Sequence, residues 1–179
     1  FLWAAKNTWL KEHLPRFPFM QRAVRRFMPG ETMESALDAA APLEAAGIGS
    51  MYTRLGENLT NLGEADEIAE HYIGVFDAIK ARAYRGEVSV KPTQLGLDLD
   101  AEACYTFLAR LAERTAAAHS YLWLDMEGSA YTEPTIQLYE RLRAEHPRTG
   151  ICLQAYLRRT AADVERLRAA LTRDGEPDA

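Results

Sequence analysis

Three similar apolar segments each lead into a polar side chain. Val88-Ser89-Val90 leads to Lys91, Leu122-Trp123-Leu124 to Asp125, and Ile151-Cys152-Leu153 to Gln154. A cation, a carboxylate and an amide aimed at one spot would suit a small zwitterion or the polar edge of a cofactor ring. A lysine on an enclosed strand face needs an anion or a lowered pKa. Asp125 would neutralise that lysine, position a cationic substrate nitrogen, or do both. Gln154 presents a donor and an acceptor together, which fits a pyrimidine-like edge or an amide satisfied by backbone. Glu57, beside Gly56, is a rim ligand or a solvated carboxylate, and spacing favours neither. Lys91 taken alone also fits a Schiff-base nucleophile in an aldolase-like barrel.

The elements that must carry these residues read as repeated strand-then-helix units. Side chains alternate faces along a strand. Val88, Val90, Leu122, Leu124, Ile151 and Leu153 then share the face that packs under helices, while Lys91, Asp125 and Gln154 share the other. Strands are expected over 48–55, 87–91, 121–125 and 150–155. Helices are expected over 33–46, 64–83, 101–118 and 132–145, and from Thr160 or Asp163 to Thr172. Thr32 and Asp100 read as N-caps and Gly47 as a helix stop. This alternation predicts parallel pairing in an α/β fold of about four units. In a closed parallel barrel, the C-terminal strand ends form the rim where chemistry is done. The stretches Pro92-Thr93-Gln94-Leu95-Gly96 and Met126-Glu127-Gly128-Ser129 read as a long rim loop and a flexible exit. Residues 1–30 are expected to be a locally basic N-terminal helical segment, either a solvated cap or a surface for anionic lipid or a partner. Residues 31–179 are then the barrel part.

The 179 residues suffice for one packed domain, and a net charge of −5 argues against a general nucleic-acid binder. Cys104 and Cys152 lie far apart without metal-ligand spacing, and reduced thiols fit a cytoplasmic compartment. No apolar run approaches the roughly 20 residues that span a bilayer. The sequence lacks a Gly-x-Gly-x-x-Gly fingerprint and a phosphate-binding loop, and His13, His71, His119 and His146 are scattered. No metal site is expected.

At these same residues the chain resembles the flavin-dependent proline dehydrogenases, specifically the bacterial single-activity form. The stretches that carry the resemblance are Leu55-Gly56-Glu57, 89–96 (SVKPTQLG), Leu124-Asp125-Met126-Glu127 and 153–160 (LQAYLRRT). Residues 26–32 (RFMPGET) resemble the family's lead-in to its barrel. The resemblance implies a distorted (βα)8 barrel with FAD at the C-terminal strand ends and no Rossmann domain. It implies oxidation of L-proline to Δ1-pyrroline-5-carboxylate by hydride transfer to flavin, with electrons passed to a quinone. It also implies a cytoplasmic location or peripheral contact with the inner membrane. Lys91 would hold the proline carboxylate, and Asp125 would lie beside substrate and flavin. Gln154 would meet the flavin's pyrimidine edge, with Cys152 on the same face near the ring. Glu57 would pair with a substrate-gripping arginine further along the family's chain.

On this reading the chain holds the N-terminal half-barrel and stops before the fifth strand. The family's remaining flavin and proline contacts, including a Tyr-x-x-Arg-Arg helix, belong to the other half. These 179 residues alone are therefore expected to bind FAD poorly and to turn over no proline. The alternative is a non-catalytic half-barrel acting as a structural or assembly subunit.

Overall fold

The computed structural model describes residues 32–56 and 59–173. The chain divides after Gly47 into two compact units. The expected N-terminal segment, 1–30, lies outside the described residues. In the first unit, helix α1 runs over Met33–Ala45. The Thr32 side chain caps it by accepting from the Ser35 N–H at 3.2 Å, and Gly47 follows its end at φ +83°.

The second unit is a four-stranded parallel sheet in the order β1-β2-β3-β4, each strand followed by a helix. The strands are β1 (Ser50–Tyr52), β2 (Gly86–Val90), β3 (Leu122–Leu124) and β4 (Thr149–Ile151). The helices are α2 (Leu62–Arg82), α3 (Ala101–Ala117), α4 (Thr132–Glu145) and α5 (Thr160–Arg173). Val88 pairs with Leu122 and Val90 with Leu124, and Leu124 pairs with Ile151. Pairing in register puts Val88, Val90, Leu122 and Leu124 on one face, and all four are fully buried. Helix α2 contributes Ala65, Ile68, Ala69, Tyr72, Val75, Phe76 and Ile79 to the core. Those positions recur every three to four residues, which is the apolar stripe of an amphipathic helix. Helix α3 does the same with Cys104, Tyr105, Leu108, Leu111 and Ala112.

The β1 and β4 segments are shorter than expected. Past Tyr52 the backbone leaves the ladder because side chains take its polar groups. Arg54 N–H donates to the Tyr72 hydroxyl at 2.9 Å, and the Arg54 carbonyl accepts from Gln94 Nε2 at 2.9 Å. Past Ile151 one further ladder bond forms, Cys152 N–H to Leu124 O at 2.9 Å, before the chain turns toward α5. Leu153 therefore lies beyond the strand and is only half-buried, rather than packed under helices.

The stretch after Lys91 is not an open loop. Pro92–Leu95 form a buried 3-10 turn, closed by Gly96 at φ +87°. A side chain at Gly96 would be strained at that φ, and its Cβ would sit 2.9 Å from Leu62.

Candidate functional site

The register that buries the leucines also aligns the polar positions. Lys91 follows Val90, Asp125 follows Leu124 and Cys152 follows Ile151, so the three stand one step past a paired row. Asp125 N–H donates to Val90 O at 2.8 Å, which continues the ladder at the level of the site. Lys91, Asp125 and Gln154 all line one cleft of about 380 Å³ at the C-terminal ends of β2, β3 and β4. Thr93, Asp98, Met126, Glu127, Gly128 and Tyr131 complete its wall.

Each side chain has its own support. Lys91 sits at the N-cap of the 3-10 turn in extended conformation, so the turn's packing sets where it projects. Its positive charge reaches Tyr72, whose hydroxyl burial holds above the ordinary value while nearby Arg54 and Lys91 pull it back. Gln154 uses one side-chain N–H on the Met126 carbonyl at 3.2 Å, and its backbone carbonyl accepts from the Thr160 hydroxyl at 2.6 Å. Cys152 is half-buried, and burial followed by the Asp125 charge pushes its thiol up. It is a neutral neighbour of the cleft rather than a thiolate.

The expected inner face also contains Trp123. Its indole N–H donates to Glu87 at 2.6 Å, and its ring lies over Gly150. A Cβ at Gly150 would fall 2.3 Å from that ring.

Sequence reasoning missed two contributors. Glu127 was expected in a flexible exit, yet its carboxylate accepts from Thr93 N–H at 3.0 Å and Thr93 Oγ1 at 2.6 Å. Asp98, beyond the 3-10 turn, reaches the same cleft. The signal for Glu127 was its spacing, since it shares strand parity with Asp125. Nothing in the sequence reports the turn that brings in Asp98. Glu57 lies outside the described residues.

The cleft wall carries three carboxylates, Asp98, Asp125 and Glu127, against Lys91. With Glu127 committed to Thr93, Lys91 and the other two carboxylates can hold both ends of a small amino acid, and Gln154 can present hydrogen bonds to a polar ring. Among the described residues no group of His, Cys, Asp and Glu is gathered to hold a metal ion. No described helix is long and apolar enough to cross a membrane.

Comparison with known proteins gives a consistent result. The family described as proline dehydrogenase matches residues 36–177. Proline dehydrogenase 1 of Bacillus subtilis strain 168 is 30% identical over 168 residues, covering 94% of this chain and 55% of that protein. Proline dehydrogenase of Deinococcus radiodurans is 29% identical over 151 residues, covering 80% of this chain and 48% of that protein. This chain thus spans about half the length of the curated relatives it matches. Among solved structures, proline utilization A from Bdellovibrio bacteriovorus, inactivated by N-propargylglycine, superposes with a TM-score of 0.73 at 21% identity. That match covers 83% of this chain and 18% of the larger one. A Bradyrhizobium japonicum proline utilization A mutant, D778Y, gives 0.70 at 22% identity, covering 91% and 19%. At such identity the structural likeness speaks for the fold. Sheet order, register and a match over most of the chain agree, and the chain belongs to the proline dehydrogenase family.

Proposed function

We propose that this chain supplies the N-terminal strands of a proline dehydrogenase that oxidises L-proline to Δ1-pyrroline-5-carboxylate and passes the electrons to a quinone. The observation that carries the reading is the meeting of Lys91, Asp125 and Gln154 at one cleft on the C-terminal ends of adjacent parallel strands.

The cofactor implied by the family is FAD, and the cleft's donor set suits its ring. About 380 Å³ lies at the low end of the roughly 300–1,000 Å³ typical of ligand pockets, room for one ring system rather than a whole dinucleotide. Gln154 has a second N–H and an oxygen to offer a donor–acceptor edge, with Met126 O fixing the amide's orientation. Lys91 and Asp125 bring opposite charges to the same cleft. When bound, the flavin would supply the hydride acceptor.

Within that arrangement Lys91 binds the substrate carboxylate, and Asp125 lies beside the ring nitrogen and orients it. Half-buried Cys152, which follows Ile151 in the same row as Asp125 but does not line the cleft, is retained as an uncharged neighbour of the ring on the resemblance alone. Glu57 is retained as a proposed rim carboxylate, on the resemblance alone. The protein's contribution is to orient substrate against cofactor, because electrostatics and positioning are what a protein adds to such chemistry. Peripheral contact with a membrane follows from a quinone acceptor and belongs to the same proposal.

The test uses the intact protein, meaning this chain assembled with a complementary C-terminal half-barrel of the family. It should retain a flavin and reduce an artificial acceptor only when proline is present. Lys91→Met should raise KM for proline by about 10- to 150-fold, the equivalent of the ~1.5–3 kcal/mol of a hydrogen bond to a charged group. Proline-independent reduction, or an unchanged KM in Lys91→Met, would overturn the assignment.

A further inference from the structure

The 3-10 turn Pro92–Leu95 is held from both sides by side chains that the proposed chemistry does not use. Toward β1, Gln94 donates to the Arg54 and Gly56 carbonyls at 2.9 and 2.5 Å and accepts from the Tyr72 hydroxyl at 3.2 Å. Toward β3, Glu127 accepts from both the backbone N–H and the hydroxyl of Thr93. Lys91 stands immediately before this turn, and Asp125 stands two residues before Glu127. The intervening Met126 is buried, and its carbonyl receives Gln154 Nε2. The segment 125–127 therefore touches all three proposed site positions. It bears Asp125, its carbonyl orients Gln154, and its carboxylate reaches the turn that aims Lys91.

We propose that Glu127 is a positioning residue whose two-pronged grip on Thr93 sets the spacing between Lys91 and Asp125, and so the fit of a small amino acid between them. The proposal rests on the reading of the cleft given under Proposed function. A carboxylate has lone pairs for both Thr93 donors at once, and an ordered 3-10 turn offers them in the required direction. A glutamine could keep the grip, because its oxygen accepts from the Thr93 N–H while its amide donates to the hydroxyl oxygen. An alanine could not. A residue that instead binds the substrate nitrogen or moves a proton needs the charge, and glutamine would fail there as badly as alanine.

The test compares Glu127→Gln, Glu127→Ala, Thr93→Ser and Thr93→Val in the intact protein. Two readouts are followed: steady-state KM and kcat for proline, and amide exchange at Thr93 without substrate. Thr93→Val should raise KM about tenfold, the size expected for one lost hydrogen bond to a charged group, and Glu127→Ala, which loses both bonds, at least as much, with kcat within about threefold in each. Glu127→Gln and Thr93→Ser should stay within about threefold of the parent. Thr93 amide exchange should quicken in Glu127→Ala and remain slow in Glu127→Gln. The double variant Glu127→Ala/Thr93→Val should be scarcely worse than Glu127→Ala alone, because alanine already removes both bonds and valine removes only the hydroxyl one. Equal losses in Glu127→Gln and Glu127→Ala, or an unchanged KM in Thr93→Val, would overturn the proposal. If Glu127→Ala does not fold, the Thr93 pair decides by the same criteria. A parent protein without proline-dependent reduction would sink the functional reading. Thr93 exchange insensitive to Glu127 would sink the grip itself, whatever the activity.

Discussion

Two polar networks in this molecule are built from similar groups and placed in opposite surroundings. At the strand ends, Tyr72, Gln94 and Thr93 are buried while bonding to backbone and to Glu127. On the outer layer, Arg159 and Arg166 bridge Glu133, Glu140 and Asp163 between α4 and α5. The outer network has more formal charge and shorter contacts, yet apart from buried Asp163 its side chains are 30–41% exposed, open enough for water to screen them. Exposed pairs contribute about 0–1 kcal/mol each, because water screens them and two long side chains must be ordered. Buried neutral groups behave differently. The bonds they make contribute modestly, but a partner left unpaired in a dry site costs about 1–3 kcal/mol. Few buried bonds can therefore matter more than many exposed ion pairs, and they fix geometry at the site while the outer pairs only decorate it.

The sharpest attempt to break this contrast is Gln94→Ala. It strands the buried Tyr72 hydroxyl proton and removes two bonds to the carbonyls of exposed Arg54 and Gly56, and the expected loss is about 1–3 kcal/mol of unfolding free energy, read from urea melts of the intact protein. A loss under about 1 kcal/mol would mean that water replaces the amide and that the inner network is not special. Gly150→Ala comes next. Its Cβ would press into the Trp123 ring, which is backed by the Trp123–Glu87 bond, so overpacking should cost about 1–3 kcal/mol. Parent-like stability there would show that the indole swings aside easily.

The outer network should yield the smallest change at neutral pH. Arg166→Ala is expected to cost under about 1 kcal/mol in the same melts. Its pH signature is more telling. The Arg166 and Arg159 guanidiniums beside Glu133 hold that carboxyl at about 2, below its ordinary 4.5. A lowered carboxyl stabilises the folded state fully above 4.5, and that contribution disappears as pH falls through about 2. Glu133→Gln should therefore sit slightly below the parent at pH 7, where the contribution is fully present but screened by solvent, and converge with it as pH falls from 4.5 toward about 2, which flattens the acid limb. An unchanged acid limb would remove the outer ion pairs from the account altogether. The buried side offers a matching probe in Cys104, whose thiol burial pushes up to about 12, aided by the Glu127 and Asp98 charges. Iodoacetamide at pH 8 should label half-buried Cys152 well before Cys104, and reversed order would mean that the inner layer opens more readily than it packs.

Helices were legible in the sequence because their signals are local. The α4 bounds coincide with the expected 132–145, and Asp100 caps α3 through the N–H groups of Glu102 and Ala103. Alternation in 88–91 and 122–125 also placed Lys91 and Asp125 on one face, since parity along a strand needs no knowledge of neighbours. Where β1 and β4 end was not legible. Those ends depend on whether a backbone N–H meets a strand or a side chain such as Tyr72, which lies twenty residues away in α2. The buried 3-10 turn was read as a loop for a similar reason. Its Pro and Gly mark a turn, but its burial comes from Gln94 and Cys104 contacts made across the fold.

The order of residue types along this chain was thus enough to set the parallel α/β plan, the family, and the parity that puts a cation, a carboxylate and an amide at strand ends. Only the folded sheet decided that these side chains border one cleft, and that Glu127 grips Thr93 instead of trailing into solvent. The reason is physical: periodicity and capping act within a few residues, whereas convergence and burial depend on strand register and on packing between segments far apart in sequence.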